Sequence, residues 1–399
     1  MKSASDLPSA PKKSAAGLTV LLVSQPASDG VFRHVEGLAG FLLREGALVH
    51  LAYSDRAACD QLGALIDRVV AAGGRTFNLR VGNRPSFADV PALLGLRRFV
   101  RATKPDVIHA HSSKAGALVR GLAMFGVDAP VFYTPHAYYR MNAPEGAKAR
   151  FYHGIERLLA GYGTTITVSS DEATFAQRRI GLKPLRRRIV INGVDCARYR
   201  PPSSDERRAL RAQFGVPPGA LVLGTVGRFS AQKDPVTTYA ALARVASAAP
   251  EVFFVHLGRG ELEPEIDALL VKNGLSGRCL RIPYLADTAP FYQMLDGFVL
   301  ASLYEGMSFA VLEALAANLP VILSQAPGNQ DFSKYGLDHV YWTAPGDVAA
   351  LAEAILSWRQ RAIAQDALPN HRSLAEKHFS AEIGFEGVLA VYREDGLRD

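Results

Sequence analysis

The chain is short of several things, and each shortage removes a class of protein. Only three cysteines occur among 399 residues, Cys59, Cys196 and Cys279, far apart and outside any C-x-x-C or histidine-rich context. Neither a disulfide framework nor a zinc site is suggested, and a reducing compartment is expected. No apolar run reaches the roughly 18 to 20 residues of a membrane-spanning helix, and Ala15 to Val23 is the longest near the N-terminus. An integral membrane protein is therefore not expected. Zinc-finger, helix-turn-helix and RNA-recognition signatures are missing, and the aromatics are not interleaved with the Lys and Arg clusters, so nucleic acid is not expected as a partner.

What is present is ordinary globular material, 48% hydrophobic and 21% charged, with enough length for two domain cores. Residues 1–16, rich in Ser, Ala, Pro and Lys, read as a disordered tail. Lys12 and Lys13 before an apolar stretch resemble a signal peptide. However, Leu18 to Val23 is followed by a loop and then a helix, which makes it a buried first strand, and a cytoplasmic protein is expected. The charge is uneven. Residues 1–200 carry 28 Lys and Arg against 15 Asp and Glu, and the remainder carries 17 against 23, consistent with the overall +7. A basic half suits anionic lipid head groups or an acidic small molecule, or is a soluble surface that happens to be basic.

Short β-branched runs alternate with longer amphipathic stretches, the pattern of parallel strands joined by crossover helices. In the first half the spacing predicts strands at 18–24, 47–53, 76–79, 107–111, 131–135, 165–169 and 188–192. The pattern breaks around Tyr199 to Pro218, where Pro201-Pro202-Ser203-Ser204 and Pro217-Pro218-Gly219 flank a charged helix. It then restarts with strands at 221–226, 252–257, 279–282, 297–301 and 320–323. The expected class is α/β, with two tandem Rossmann-like, doubly wound domains at 17–198 and 219–378 facing a central cleft, joined by a linker at 199–218. Ligands belong in that cleft, but the architecture by itself leaves the activity open.

Two strings carry chemistry. From Ala301 to Ile322 a buried strand runs into a glycine-containing loop and a helix opening near Ser308, so free backbone N–H groups point into the cleft and suit an anion. Glu305 lies before that helix and Glu313 about two turns into it. Acids placed to complement a helix dipole would explain Glu305 but not the whole string. From Gly224 to Pro235 a second strand enters a loop with Arg228, a fork of donors, and Lys233, a point charge, a pair suited to holding a diphosphate without metal. Either cation alone would be an ordinary solvated charge.

Together these strings resemble glycosyltransferase family 4, the retaining GT-B enzymes. Glu305 and Glu313 are similar to its E-x7-E signature, Gly227 to Asp234 to its G-R-x-x-x-x-K loop, and Asn192-Gly193-Val194-Asp195 to the turn closing its first domain. Leu257-Gly258-Arg259-Gly260 resembles its L-x-G-x-G turn. His109-Ala110-His111 and Thr134-Pro135-His136 resemble its two histidine-bearing strand ends, and 379–399 its terminal helix crossing back onto the first domain. The chain departs at Ser28 to His34, where paired glycines are usual, and at Asn318, where glycine is common. Ala326 to Asp331 resembles the G-N-x-D variant of members that build surface polysaccharides.

The resemblance implies a nucleotide-activated sugar as donor, held by Gly227, Arg228, Lys233, Gly260, Gly306, Met307, Ser308, Phe309 and Glu313. Arg228 and Lys233 would neutralise the diphosphate as the glycosidic bond breaks. Glu313 would accept from the ribose hydroxyls and Glu305 would orient the sugar. With no D-x-D motif in the chain and two cations available, no catalytic metal and no cofactor are expected. His136 is placed against the transferring sugar or, alternatively, in a structural hydrogen bond. Gly30, Arg33, His34, His111 and Lys114 are the candidates for the acceptor, a glycan or glycolipid. Arg97, Arg98, Arg101 and Lys104 lie on an amphipathic helix that either rests on an anionic membrane surface or simply packs its apolar side on its own sheet. Two other classes stay open: a GT-B sugar-nucleotide epimerase, which would act without an acceptor, and a non-catalytic sugar-nucleotide-binding scaffold.

Overall fold

A computed structural model describes residues 15–26, 29–57, 59–141, 146–364 and 369–396. The first sheet is built from β1 (Thr19–Ser24), β2 (Leu48–Tyr53), β3 (Thr76–Asn78), β4 (Val107–His111), β5 (Val131–Thr134), β6 (Thr164–Thr167) and β7 (Arg187–Ile189), all parallel, in the order 3-2-1-4-5-6-7. The second contains β8 (Leu221–Val226), β9 (Val252–Leu257), β10 (Cys279–Ile282), β11 (Gly297–Leu300), β12 (Val321–Ser324) and β13 (Val340–Thr343), also parallel, in the order 10-9-8-11-12-13. Central strands such as β1, β9, β11 and β12 are buried almost throughout, the pattern of a parallel sheet covered by helices on both faces.

Register explains where ligands can go. Ser24 of β1 is level with His111 of β4, and His111 is level with Thr134 of β5, so three strand ends open onto one rim. In the second sheet Val226 is level with Leu257, and Leu257 with Ile282. In both sheets the strand order reverses beside the first strand, and the crevice at such a switch point is the natural ligand site.

Two features lie outside the sequence's expectations, and the charged helix of the linker is where it was expected. Edge strand β13 has a half-buried Val-Tyr-Trp run, with too little apolar contrast to mark it as a strand. Ala15 is buried in the first domain's core and its carbonyl accepts from Leu18 N–H at 3.1 Å, so Ala15 belongs to the folded domain, and residues 1–14 of the expected tail lie outside the described residues. The helix within 199–218, Ser204–Gln213, opens with a capping box in which Ser203 and Glu206 satisfy each other's backbone N–H groups. Its Arg207 and Arg211 pair with Asp296 of the second domain at 3.1 and 2.6 Å.

The chain returns at its end to the first domain. Phe385, Val388, Leu389, Val391 and Tyr392 of the helix Ala381–Asp395 share a core with Val35, Leu38, Phe41 and Leu42. Val194 bonds to both sides of the crossing, its N–H to the Phe379 carbonyl at 2.7 Å and its carbonyl to Ala381 N–H at 3.0 Å. A Cβ on Gly193 would lie 2.5 Å from the Ser380 carbonyl, so the Asn192-Gly193 turn needs glycine for this close approach.

Candidate active site

On the first-domain rim, His111 ends β4, His136 follows β5, and His34 rises from the helix Asp29–Arg44. Their ring centroids stand 4.7 Å apart for His34 and His136, 5.3 Å for His34 and His111, and 5.5 Å for His111 and His136. Burial holds all three imidazoles neutral: the pKa of His34 falls to about 4, and those of His111 and His136 fall well below the usual value, helped by their histidine neighbours. His109 behind them is structural, with Nδ1 2.6 Å from the Tyr392 hydroxyl and Nε2 2.8 Å from Thr134 Oγ1. That contact ties the terminal helix to the rim.

The chain turns sharply after β5. His136 and Ala137 both have left-handed backbone, φ 58° and 99°, an unfavourable state for residues with a Cβ. Glu172 stabilises it: its fully buried carboxylate accepts from Ala137 N–H at 2.7 Å and Val168 N–H at 2.8 Å. Burial outweighs those donors and pushes its pKa up to about 7. Sequence reasoning missed Glu172. Ser169-Ser170-Asp171-Glu172 spells a capping box, which would assign the carboxylate to the Ser169 N–H rather than to a loop 35 residues earlier.

The second-domain rim is two loops laid backbone to backbone. A Cβ on Gly258 would come within 2.0 Å of the Gly227 carbonyl, and one on Gly260 within 2.4 Å of the Phe229 carbonyl. Phe229 is buried and stacks on His256, ring centroids 3.8 Å apart, while His256 Nε2 meets the Gly227 carbonyl at 2.9 Å. The Arg228 side chain is exposed beside this anchored segment. Lys233 turns back to Glu305 at 2.6 Å, and Asp234 caps the next helix through the N–H and hydroxyl of Thr237, at 3.2 and 2.7 Å.

Glu305 and Met307 are buried on the loop after β11, and buried Ser308 stands at the N-cap of the helix Phe309–Ala316. The N–H groups of that first turn have no intrahelical partner and face outward. Glu313 is the fifth residue of this helix, little more than one turn in rather than two, because five residues at about 3.6 per turn span less than one and a half turns.

The two rims meet. A Cβ on Gly306 would approach Ala137 N at 3.0 Å and the His136 carbonyl carbon at 3.1 Å, so the loop before the helix lies on the left-handed turn. Gly30 faces Phe309 at 2.9 Å by the same measure, and Asn192 Nδ2 donates to the Met307 carbonyl at 3.2 Å. Arg33, expected at the acceptor, forms an ion pair with Glu313, expected at the donor ribose, and lies 3.4 Å from the Tyr199 hydroxyl. Lys114 is committed to Asp89 and to the Arg84 carbonyl at 2.9 Å. Beside these contacts Asp331 accepts from the N–H and hydroxyl of Ser170, and Asp171 accepts from Gly328 N–H at 2.8 Å. No sequence signal links such pairs, which lie about 160 residues apart.

The basic helix Asp89–Thr103 packs its apolar side on its own sheet and leaves a second set of side chains exposed. Ala92, Leu96 and Val100 pack on the sheet, while Phe87 before it and Val90 and Leu94 within it are exposed, as are Arg98, Arg101 and Lys104.

Comparison with known proteins agrees with this architecture. Residues 28–198 match the family described as Glycosyltransferase Family 4, and residues 220–360 match the Glycosyl transferases group 1 family. The chain is 27% identical over 254 residues to the UDP-Gal:alpha-D-GlcNAc-diphosphoundecaprenol alpha-1,3-galactosyltransferase of Escherichia coli, covering 63% of this chain and 65% of that protein. It is 30% identical over 189 residues to the lipopolysaccharide core biosynthesis glycosyltransferase LpsE of Rhizobium meliloti, covering 47% and 51%. Among solved structures, Anabaena HepE in complex with UDP-glucose superposes with a TM-score of 0.75 at 21% identity, over 94% of this chain and all of that one. Sucrose-phosphate synthase from Thermosynechococcus elongatus gives 0.77 at 19% identity, over 94% and 98%. The fold is GT-B.

Proposed function

Because this chain belongs to glycosyltransferase family 4, we propose that it transfers a hexosyl unit from a UDP- or GDP-sugar to a lipid-linked glycan acceptor, with retention of anomeric configuration, in surface-polysaccharide synthesis. The observation that carries this reading is the meeting of two rims. One presents cations and a helix N-terminus, and the other presents neutral imidazoles against the same loop at Gly306.

The donor's diphosphate lies between Arg228, Lys233 and the N–H groups opening the helix Phe309–Ala316, where fixed donors stabilise the charge that develops on the leaving group. Glu305 holds the Lys233 ammonium in place before the donor arrives. Glu313 accepts from the ribose once Arg33 releases it. His136, neutral and held by the turn that Glu172 stabilises, contacts the sugar. The acceptor hydroxyl approaches from the first-domain side, past Gly30, Arg33, His34, His111 and Lys114, on the face the diphosphate leaves, and a phosphate oxygen takes its proton. These cations supply the charge that a metal would otherwise supply. The exposed Phe87, Val90 and Leu94, continued by Arg98, Arg101 and Lys104, suit the inner face of an anionic membrane, where a lipid-linked acceptor would be found.

The test is a product analysis. UDP-glucose, UDP-galactose, UDP-N-acetylglucosamine and GDP-mannose are each incubated with a polyprenyl-diphosphate monosaccharide. The product is weighed by mass spectrometry and its new anomeric centre assigned by NMR. A product one hexosyl unit heavier with the donor's anomeric configuration is expected. A donor sugar epimerised without any acceptor product would overturn the reading.

A further inference from the structure

The histidines of the first-domain rim have a geometry that substrate contact alone does not explain. His34, His111 and His136 come from three separate elements, 77 and 25 residues apart in sequence, and each brings a ring nitrogen to within 4.8 Å of the other two. His111 Nδ1 and His136 Nε2 are 3.2 Å apart. Two nitrogens bound to one tetrahedral ion at about 2.05 Å stand roughly 3.3 Å apart, so this pair already has the spacing of two ligands. His34 Nε2, His111 Nε2 and His136 Nδ1 are all buried without a hydrogen-bond partner. Of these, His34 Nε2, on a ring 94% removed from solvent, is the orphan that an ion shared with the His111 Nδ1–His136 Nε2 pair would satisfy, whereas the other two are the far nitrogens of that pair.

We propose that His34, His111 and His136 form a three-histidine site for a borderline divalent transition ion of the zinc class. Three uncharged imidazoles without a carboxylate are a poor site for the hard cations Mg2+ and Ca2+, which take oxygen ligands, and a good one for Zn2+, Co2+ or Ni2+. Three protein ligands leave a fourth position open, and Phe309 of the second domain lies beside the group, its ring 6.3 Å from that of His34. The ion is inhibitory rather than catalytic: it takes the His136 lone pair and occupies the surface on which the Gly306 loop sits. That consequence rests on the proposed transferase reading, whereas the binding does not.

The experiment uses the untagged, chelator-treated full chain titrated with Co2+, read by the visible ligand-field absorption of the tetrahedral ion. One equivalent is expected to bind with strong absorption, to be displaced by Zn2+ and to be unaffected by Mg2+. His34→Ala and His136→Ala should each weaken binding at least about tenfold. Circular dichroism checks that the variants fold, and His136→Gln, on a loop, stands in for either that does not. No tetrahedral absorption in the wild type, or absorption that survives loss of His34 and of His136, would overturn the site. Where the metal-free protein transfers sugar, stoichiometric Zn2+ should cut the rate at least tenfold, reversibly with EDTA. An unchanged rate at full occupancy would overturn the inhibition. Absence of transfer in metal-free protein would count against the transferase reading and not against the site.

Discussion

Gly260→Ala is a small change with a large expected effect. Its new methyl would lie 2.4 Å from the Phe229 carbonyl oxygen and 2.6 Å from Phe229 N, both backbone atoms with no side-chain rotation to yield. Restoring an ordinary contact needs a displacement of about 1 Å, because Cβ atoms rarely tolerate less than about 3.4 Å. Phe229 cannot absorb it, since it is buried, stacked on His256 and bonded through its N–H to the Arg259 carbonyl at 3.0 Å. The shift passes instead to its neighbours, Arg228 and Lys233, and a misplacement of about 1 Å costs on the order of 100-fold in catalysis. The fold should survive with a loss of about 1 to 3 kcal/mol, typical of overpacking. Gly277→Ala is the control, because nothing lies within 4 Å of its Cβ position. Steady-state kinetics with varied donor should give a kcat/KM about 100-fold lower for Gly260→Ala and unchanged for Gly277→Ala. A Gly260→Ala enzyme within threefold of wild type would refute the argument that the backbone contact sets the cation positions.

Other expectations follow from the same geometry. Arg120 and Glu156 form a buried ion pair at 2.7 Å, with the Tyr133 hydroxyl donating to Glu156 at 2.9 Å and the guanidinium 3.9 Å over the Tyr133 ring. Arg120→Met leaves a buried carboxylate without its cation and should lower the urea-derived stability by about 3 to 5 kcal/mol, with Glu156→Leu in the same chain recovering part of it. Burial depresses the pKa of His256 to about 4 in the folded state. The unfolded chain binds the extra proton first as pH falls, so the stabilisation is complete above about 6.5 and lost progressively down to about 4, on the order of 3 kcal/mol in all. Urea midpoints measured from pH 7.5 to 4.5 should fall less steeply in His256→Phe than in wild type, and parallel slopes would contradict this. Sedimentation with vesicles should show salt-sensitive binding to anionic but not neutral lipid, weakened by Leu94→Glu, with each basic side chain worth about 1 kcal/mol near the surface.

The fold was legible because its strands are buried on both faces and stand out as β-branched runs, and the boundaries at Val107–His111 and Leu221–Val226 coincide with the expected ones. Edge strand β13 was not legible, since a half-exposed Val-Tyr-Trp-Thr lacks that contrast. Contiguous strings such as Gly227 to Asp234 and Ala301 to Glu313 could be read because backbone geometry alone fixes what they present. Pairings that cross the chain could not. Arg33 and Glu313 are 280 residues apart, and nothing local to either names the other. The same holds for the Glu172 carboxylate, whose partner is a backbone N–H in a different loop, and for the three histidines, each of which looks like an ordinary strand-end or helix residue until the register of β1, β4 and β5 brings their rims level.

Isothermal titration with UDP-, GDP- and ADP-sugars in EDTA, on the wild type and on Arg228→Ala, tests the central claim most directly. Saturating ligand at about 100 times its dissociation constant should also stabilise the fold by about 2.7 kcal/mol, which a parallel melt would register. The account predicts that one nucleotide class binds in the presence of EDTA and that binding collapses in Arg228→Ala. Binding of no nucleotide sugar, or equal binding by the Arg228→Ala protein, would contradict it.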